Sequence, residues 1–154
     1  MSDAIASSFA NSLPSNGMLE GMTEVERDTL RDFGDFVDHR KGDVLVEQGK
    51  PQAFLHLVLE GELRVSVSSP EQIVTLGYVQ PGECVGEMTL LEVANASATV
   101  VANTNCRVWA MNRAAFERFC EQHPRAAVSL VKAVAILLSH RLRNSSQRLL
   151  SSES

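Results

Sequence analysis

Pro81-Gly82-Glu83-Cys84-Val85-Gly86-Glu87-Met88-Thr89-Leu90-Leu91, followed by Ala96-Ser97-Ala98-Thr99-Val100, is the most informative segment of the chain. Pro81-Gly82 is turn punctuation. Gly86 lets a backbone approach its neighbour closely. Thr99 to Ala102 is β-branched and apolar, as a strand should be. Taken singly, Gly86-Glu87 reads as a turn with a solvated carboxylate, Ser97 as a small strand residue and Cys84 as a small buried one.

Upstream, short apolar or β-branched runs repeat between Gly and Pro punctuation. They are Phe36-Val37, Val44 to Val46, Phe54 to Leu59, Leu63 to Val67 and Ile73 to Val79, with Arg107 to Met111 downstream. Many short strands so punctuated indicate a sandwich, roll or barrel. Leu63, Val65 and Val67 alternate with Arg64 and Ser66, as on a half-exposed strand. Ser68-Ser69-Pro70-Glu71 reads as a hairpin turn into the next strand.

Helices flank this β region. Thr23 with Glu26 forms a capping box, predicting a helix over about Glu24 to Phe33 with Val25, Leu30 and Phe33 on one face. Asn112 caps a second helix whose Phe116 and Phe119 face the strands. Pro124 opens a third, running to about Leu150. Ala127, Leu130, Val131, Val134, Leu137 and Leu138 recur there at helical spacing. Ala126, Val128, Ala133, Ala135 and Ile136 make its first half apolar nearly all round. Such a helix needs two partners, and a second copy of the chain is the simplest addition. Arg141, Arg143 and Arg148 read as complementing the dipole at its C-terminal end.

The 154 residues are enough for one domain with a real core. Their net charge of −5 disfavours a duplex-binding surface, and 5% aromatic content disfavours stacking platforms for single strands. Cys84, Cys106 and Cys120 form no C-x-x-C pair, which fits a reduced, cytoplasmic setting. His39 and His56 are far apart and no H-x-H pair exists, so no metal site is expected. The longest apolar run, Ala133 to Leu138, is too short to span a membrane. The N-terminus lacks the pattern of a signal peptide. No nucleophile–base pair stands out, so a non-enzymatic role is expected.

From about Leu30 to Leu142 the sequence resembles the cyclic-nucleotide-binding domains of the catabolite activator protein family. The resemblance rests on Lys41-Gly42-Asp43 with Gly49, Leu59-Glu60-Gly61-Glu62-Leu63 and Pro81-Gly82-Glu83. Gly86-Glu87-Met88-x-Leu90-Leu91 and Ser97-Ala98-Thr99-Val100 complete it. It implies a mainly β fold with flanking α: a jelly-roll-like β-roll with a short N-terminal helix and a long C-terminal one. Residues 1–17 form a flexible lead and residues 18–154 the domain, which includes a dimerisation helix over about 124–150.

The resemblance also implies a binding site at Gly86, Glu87, Met88, Thr89, Ala96, Ser97 and Ala98, with no catalytic residue. The turn after Gly86 would present backbone N–H groups to the cyclic phosphate. Glu87 matches the acid that accepts a ribose 2′-hydroxyl, and Ser97 matches a hydroxyl that reaches the phosphate in some members. The family's phosphate-pairing arginine stands where this chain has Ala96, and Asn95 replaces a common proline. A charge-assisted hydrogen bond contributes about 1.5–3 kcal/mol. Its loss weakens phosphate binding by about ten- to a hundredfold, and Glu87 without that cation repels an anion. Arg64 is a candidate replacement, and Ser139 and Asn144 are candidates for contact with a base.

Only Ser151 to Ser154 follow the long helix, so no helix-turn-helix and no direct DNA contact are expected. The expected protein is a dimeric, non-catalytic regulatory domain that senses a cyclic nucleotide weakly and requires no cofactor. The alternative is an interaction or scaffold protein whose degenerate pocket serves a regulatory partner or holds a different small ligand.

Overall fold

The computed structural model describes residues 11–153, with side chains through residue 145. Its strands are β1 (Asp35–His39), β2 (Val44–Val46), β3 (Phe54–Glu60), β4 (Leu63–Ser68), β5 (Ile73–Val79), β6 (Cys84–Val85), β7 (Thr99–Ala102) and β8 (Cys106–Asn112). They form two antiparallel four-stranded sheets, ordered β1-β8-β3-β6 and β2-β7-β4-β5. The chain passes repeatedly between the sheets, which makes a β-roll. The helices are α1 (Glu24–Arg31), α2 (Arg113–Gln122) and α3 (Pro124–Glu153).

The alternation of a strand explains the two-layer core. On β3, Leu55 and Leu57 join a cluster with Leu30, Phe119 and Leu130 from the helices. Val58 points the other way, into the roll, where it meets Val46, Leu63, Val100 and Val108. On β8, Trp109 and Met111 face the helices while Val108 faces the roll. The β1–β8–β3–β6 sheet is covered on both sides, so its central strands read as continuous apolar runs rather than as alternation.

Local chemistry sets the helix starts. Thr23 Oγ accepts from the Glu26 N–H, and the Glu26 carboxylate accepts from the Thr23 N–H at 2.9 Å. Asn112 Oδ1 accepts from the Ala115 N–H at 2.8 Å and opens α2. The Ser129 hydroxyl donates to Glu26 Oε2 at 2.8 Å, joining α3 to α1. These bonds hold the Glu26 carboxyl below its usual range, the backbone bond at Thr23 first. Phe116 and Phe119 are buried, and Phe33 packs edge-on against Phe119.

Three local readings change. Val25 is 75% exposed, because five positions from Leu30 lies about 140° round a helix. Ser66 is buried although it alternates with apolar neighbours, because the pairing of β4 with β5 shifts register between Val65 and Ser66 and breaks the alternation. The segment read as a flexible lead ends in packed structure: Leu13 is buried, and the Met18 N–H donates to the Gly82 carbonyl at 2.8 Å. Residues 1–10 of that lead lie outside the described residues, as does the side chain of Arg148.

Candidate functional site

A cavity of about 350 Å³ opens on one side of the roll. Its apolar wall comes from Val46, Val65, Val85 and Val100, one residue each from β2, β4, β6 and β7. Between β6 and β7 the chain runs over the mouth in a turn and a loop. Gly86 makes the turn possible: it adopts φ 81°, and a Cβ there would lie 2.3 Å from the Phe54 carbonyl oxygen. Only glycine accommodates both the left-handed backbone and that approach. A 3-10 turn, Glu87–Leu90, follows, closed by the Thr89 N–H donating to the Gly86 carbonyl at 3.0 Å.

The loop that carries Ala96 is fixed by its backbone. The Ala96 N–H donates to the Lys50 carbonyl, and the Gly49 N–H donates to the Ala96 carbonyl, each at 2.8 Å. The Gln52 N–H donates to the Ala94 carbonyl at 3.2 Å. Ala96 is therefore buried and held at the cavity wall, with Ser97 and Ala98 beside it.

Six of the seven expected site residues line this cavity: Gly86, Glu87, Met88, Ala96, Ser97 and Ala98. Thr89 does not. Its side chain is buried, and its hydroxyl donates to the Gly86 carbonyl at 2.6 Å, so it braces the turn instead. Ser139 and Asn144 are exposed and outside the lining, and Arg64 is also absent from it. Gln52, Glu92 and Asn95 join the polar part of the wall.

The cation in the cavity comes from α3. Arg141 Nη1 pairs with Glu87 Oε1, and Arg141 Nη2 donates to the Cys84 carbonyl at 2.8 Å. The expected role of Arg141 at a helix end is corrected: α3 continues to Glu153, and Arg141 stands well inside it. Glu87 is also corrected, since its 5% exposed carboxylate is paired rather than uncompensated. A signal for this lay in the sequence, because Arg141 follows Leu137 by four residues and continues the inward stripe Leu130, Val134, Leu137.

Glu87 also borders a second, apolar cavity of about 100 Å³, between the turn and the helices. Leu90, Leu91, Phe116, Val131, Val134 and Leu138 surround it. Cys84 lies beneath the site, fully buried. Burial pushes its thiol up to about 12, and Glu87 adds to this. With its proton held and its Sγ against Met18 Sδ, it is not a nucleophile. Among the described residues no group of three His, Cys, Asp or Glu side chains is placed to hold a metal ion. No described helix is long and apolar enough to cross a membrane.

A β-roll with a lateral cavity, and a helix tied to the cavity's edge, defines the class of roll-type ligand-binding domains. The chain belongs to the cyclic nucleotide-binding domain family, whose sequence profile matches residues 36–123. A cyclic nucleotide-binding domain from Methylobacillus flagellatus superposes with TM-score 0.79 at 25% identity, over 85% of this chain and 74% of that one. The Thermus thermophilus catabolite activator protein gives TM-score 0.76 at 27% identity, over 86% of this chain and 61% of that one. The cGMP-dependent protein kinase of Toxoplasma gondii is 29% identical over 113 residues, 73% of this chain and 11% of the kinase. The chain spans between 6% and 20% of the length of these curated relatives. Some relatives are enzymes that carry such a domain as one part of a longer chain.

Proposed function

We propose that this chain is a non-catalytic regulatory module of the cytoplasm, whose roll cavity takes a nucleotide-like ligand and whose α3 reports occupancy within a homodimer. The observation that carries this reading is Arg141. One side chain of α3 is bonded both to Glu87 and to the Cys84 carbonyl, so a ligand that engages Glu87 acts on the helix directly. A ligand shifts such an equilibrium by its differential affinity for the two helix positions. The apolar cavity beside Glu87 gives α3 a place to settle.

The dimer reading rests on a seam along α3. Val128, Val131, Ala135, Leu138 and Leu142 follow the alternating three- and four-residue spacing of a two-stranded coil. Val128, Val131 and Leu142 are exposed in the single chain at 54%, 43% and 70%. Ala127 and Leu130, on another face, are already buried in the cluster shared with the roll, and Val134 is buried as well.

Cyclic AMP and cyclic GMP are ligands in this reading, held weakly because position 96 offers no cation. Calorimetric titration with both, paired with amide hydrogen exchange along α3, tests it. The expected result is binding in the high micromolar to millimolar range with a changed exchange rate around Arg141. Absence of heat and of any exchange change at millimolar ligand would reject cyclic nucleotides as the signal. Ala96 also favours a second reading, an interaction protein with a degenerate pocket. Under that reading a mutant with a blocked cavity keeps all its partner contacts.

A further inference from the structure

The cavity described above has a charge balance that bears on what it accepts. Among the described residues lining it, the charged side chains are Glu87, Glu92 and Arg141. Two carboxylates against one guanidinium leave a net charge of −1 at the wall, and that guanidinium is already engaged. Both Nη groups of Arg141 are committed, to Glu87 Oε1 and to the Cys84 carbonyl, so an incoming anion meets a guanidinium whose charge is already balanced by a carboxylate only 5% exposed to water. The remaining polar lining side chains, Gln52, Asn95 and Ser97, are neutral.

The wall is nonetheless built to hold something. The valines of four strands, with Ala96 and Ala98, offer apolar surface to a flat ring. The Arg141 pair occupies Glu87 Oε1, which leaves Oε2 to accept a hydroxyl donor. A volume of about 350 Å³ is at the lower end of small-ligand cavities. Apolar surface at one end and a carboxylate acceptor at the other match a ring joined to a hydroxyl-bearing sugar. They do not match an anion.

We infer that the cavity selects an uncharged, hydroxyl-bearing ligand of nucleoside type over the cyclic phosphate of the same base. This rests on the reading of the cavity as the sensing site and narrows its ligand class. Selectivity here is a difference of affinities, set by an unfavourable charge rather than by a new attractive contact.

Equilibrium titration of the full chain compares adenosine with cyclic AMP and guanosine with cyclic GMP. The nucleoside of at least one pair is expected to bind tenfold or more tightly than its cyclic phosphate, with little dependence on salt. Glu92→Gln, an exposed substitution that takes the wall charge from −1 to 0, is expected to move the ratio severalfold toward the cyclic phosphate. A cyclic nucleotide that binds more tightly than its nucleoside in the unsubstituted chain overturns the inference and leaves the sensing site in place. A ratio unmoved by Glu92→Gln overturns the charge argument. If neither kind of ligand binds either protein, the sensing reading falls together with the inference.

Discussion

Glu87 is 5% exposed, and a carboxylate so placed requires a partner. Arg141 supplies it from α3. Replacing Arg141 by Ala leaves that carboxylate unpaired and the Cys84 carbonyl without its donor. The expected loss is about 1–3 kcal/mol in urea unfolding. Glu87→Gln in the same background should recover much of it, because the stranded charge is then gone. A second residue-scale effect belongs to His56, buried in the roll with Nδ1 unpaired among the described residues. Burial lowers its imidazole to about 4 from the ordinary 6.5, and His39 adds repulsion. Between those values the unfolded chain takes up a proton that the folded chain refuses. Stability therefore falls as the pH drops from about 6.5 to about 4, by up to about 3 kcal/mol from this group. The stability of the native chain relative to His56→Leu should fall over the same interval; a constant difference contradicts the assignment. That Glu87 and Ala96 would lie at one site followed from the family resemblance of the motifs around them, and both line the cavity. Arg141 was not legible, because its stripe position competed with a simpler reading as a cation near a helix end.

At the scale of elements, the turn from Gly86 to Leu90 sets the shape of the cavity mouth. Gly86→Ala forces a side chain into φ 81° and against the Phe54 carbonyl, so the turn must move. The expected cost is more than about 2 kcal/mol, beyond the usual effect of adding a methyl at a compatible site. Thermal unfolding measures it, and a variant as stable as the parent would contradict the described turn. Most strands were legible from their punctuation, and the hairpin at Ser69 forms as read, with the Ser69 N–H donating to the Gln72 carbonyl at 2.9 Å. β6 was missed, since Cys84–Val85 is too short to show a period of two. It is recognised only through its pairing with His56 and Leu57 on β3. Thr89 was misplaced for a related reason. A turn of four residues sends neighbouring side chains in different directions, and sequence spacing alone does not say which one faces the cavity.

At the scale of the whole molecule, the roll and its helices share one cluster, so α3 cannot move without disturbing the wall that holds Glu87. At the two ends of the seam Val128 and Leu142 stand exposed, while Val131 and Leu138 between them also border the small cavity with Phe116. Light scattering is expected to give twice the chain mass of 16.8 kDa. Val128→Glu with Leu142→Glu should return a monomer that keeps the far-ultraviolet dichroism of the roll. A monomeric parent chain would contradict the seam. The apolar first half of α3 was legible in the sequence, but which residues face the roll and which face away follows only from the packing of Leu130 and Val134.

The central claim is that the roll cavity is a nucleotide-type pocket whose phosphate position is vacated at residue 96. Calorimetric titration of cyclic AMP into Ala96→Arg beside the unsubstituted chain tests it most directly. Position 96 lines the cavity, so an arginine there adds a second cation to a lining whose Arg141 is already paired with Glu87. The expected gain in affinity is about ten- to a hundredfold, the value of one charge-assisted hydrogen bond. An affinity unchanged in a folded Ala96→Arg variant would contradict the placement of position 96 and the reading of the cavity.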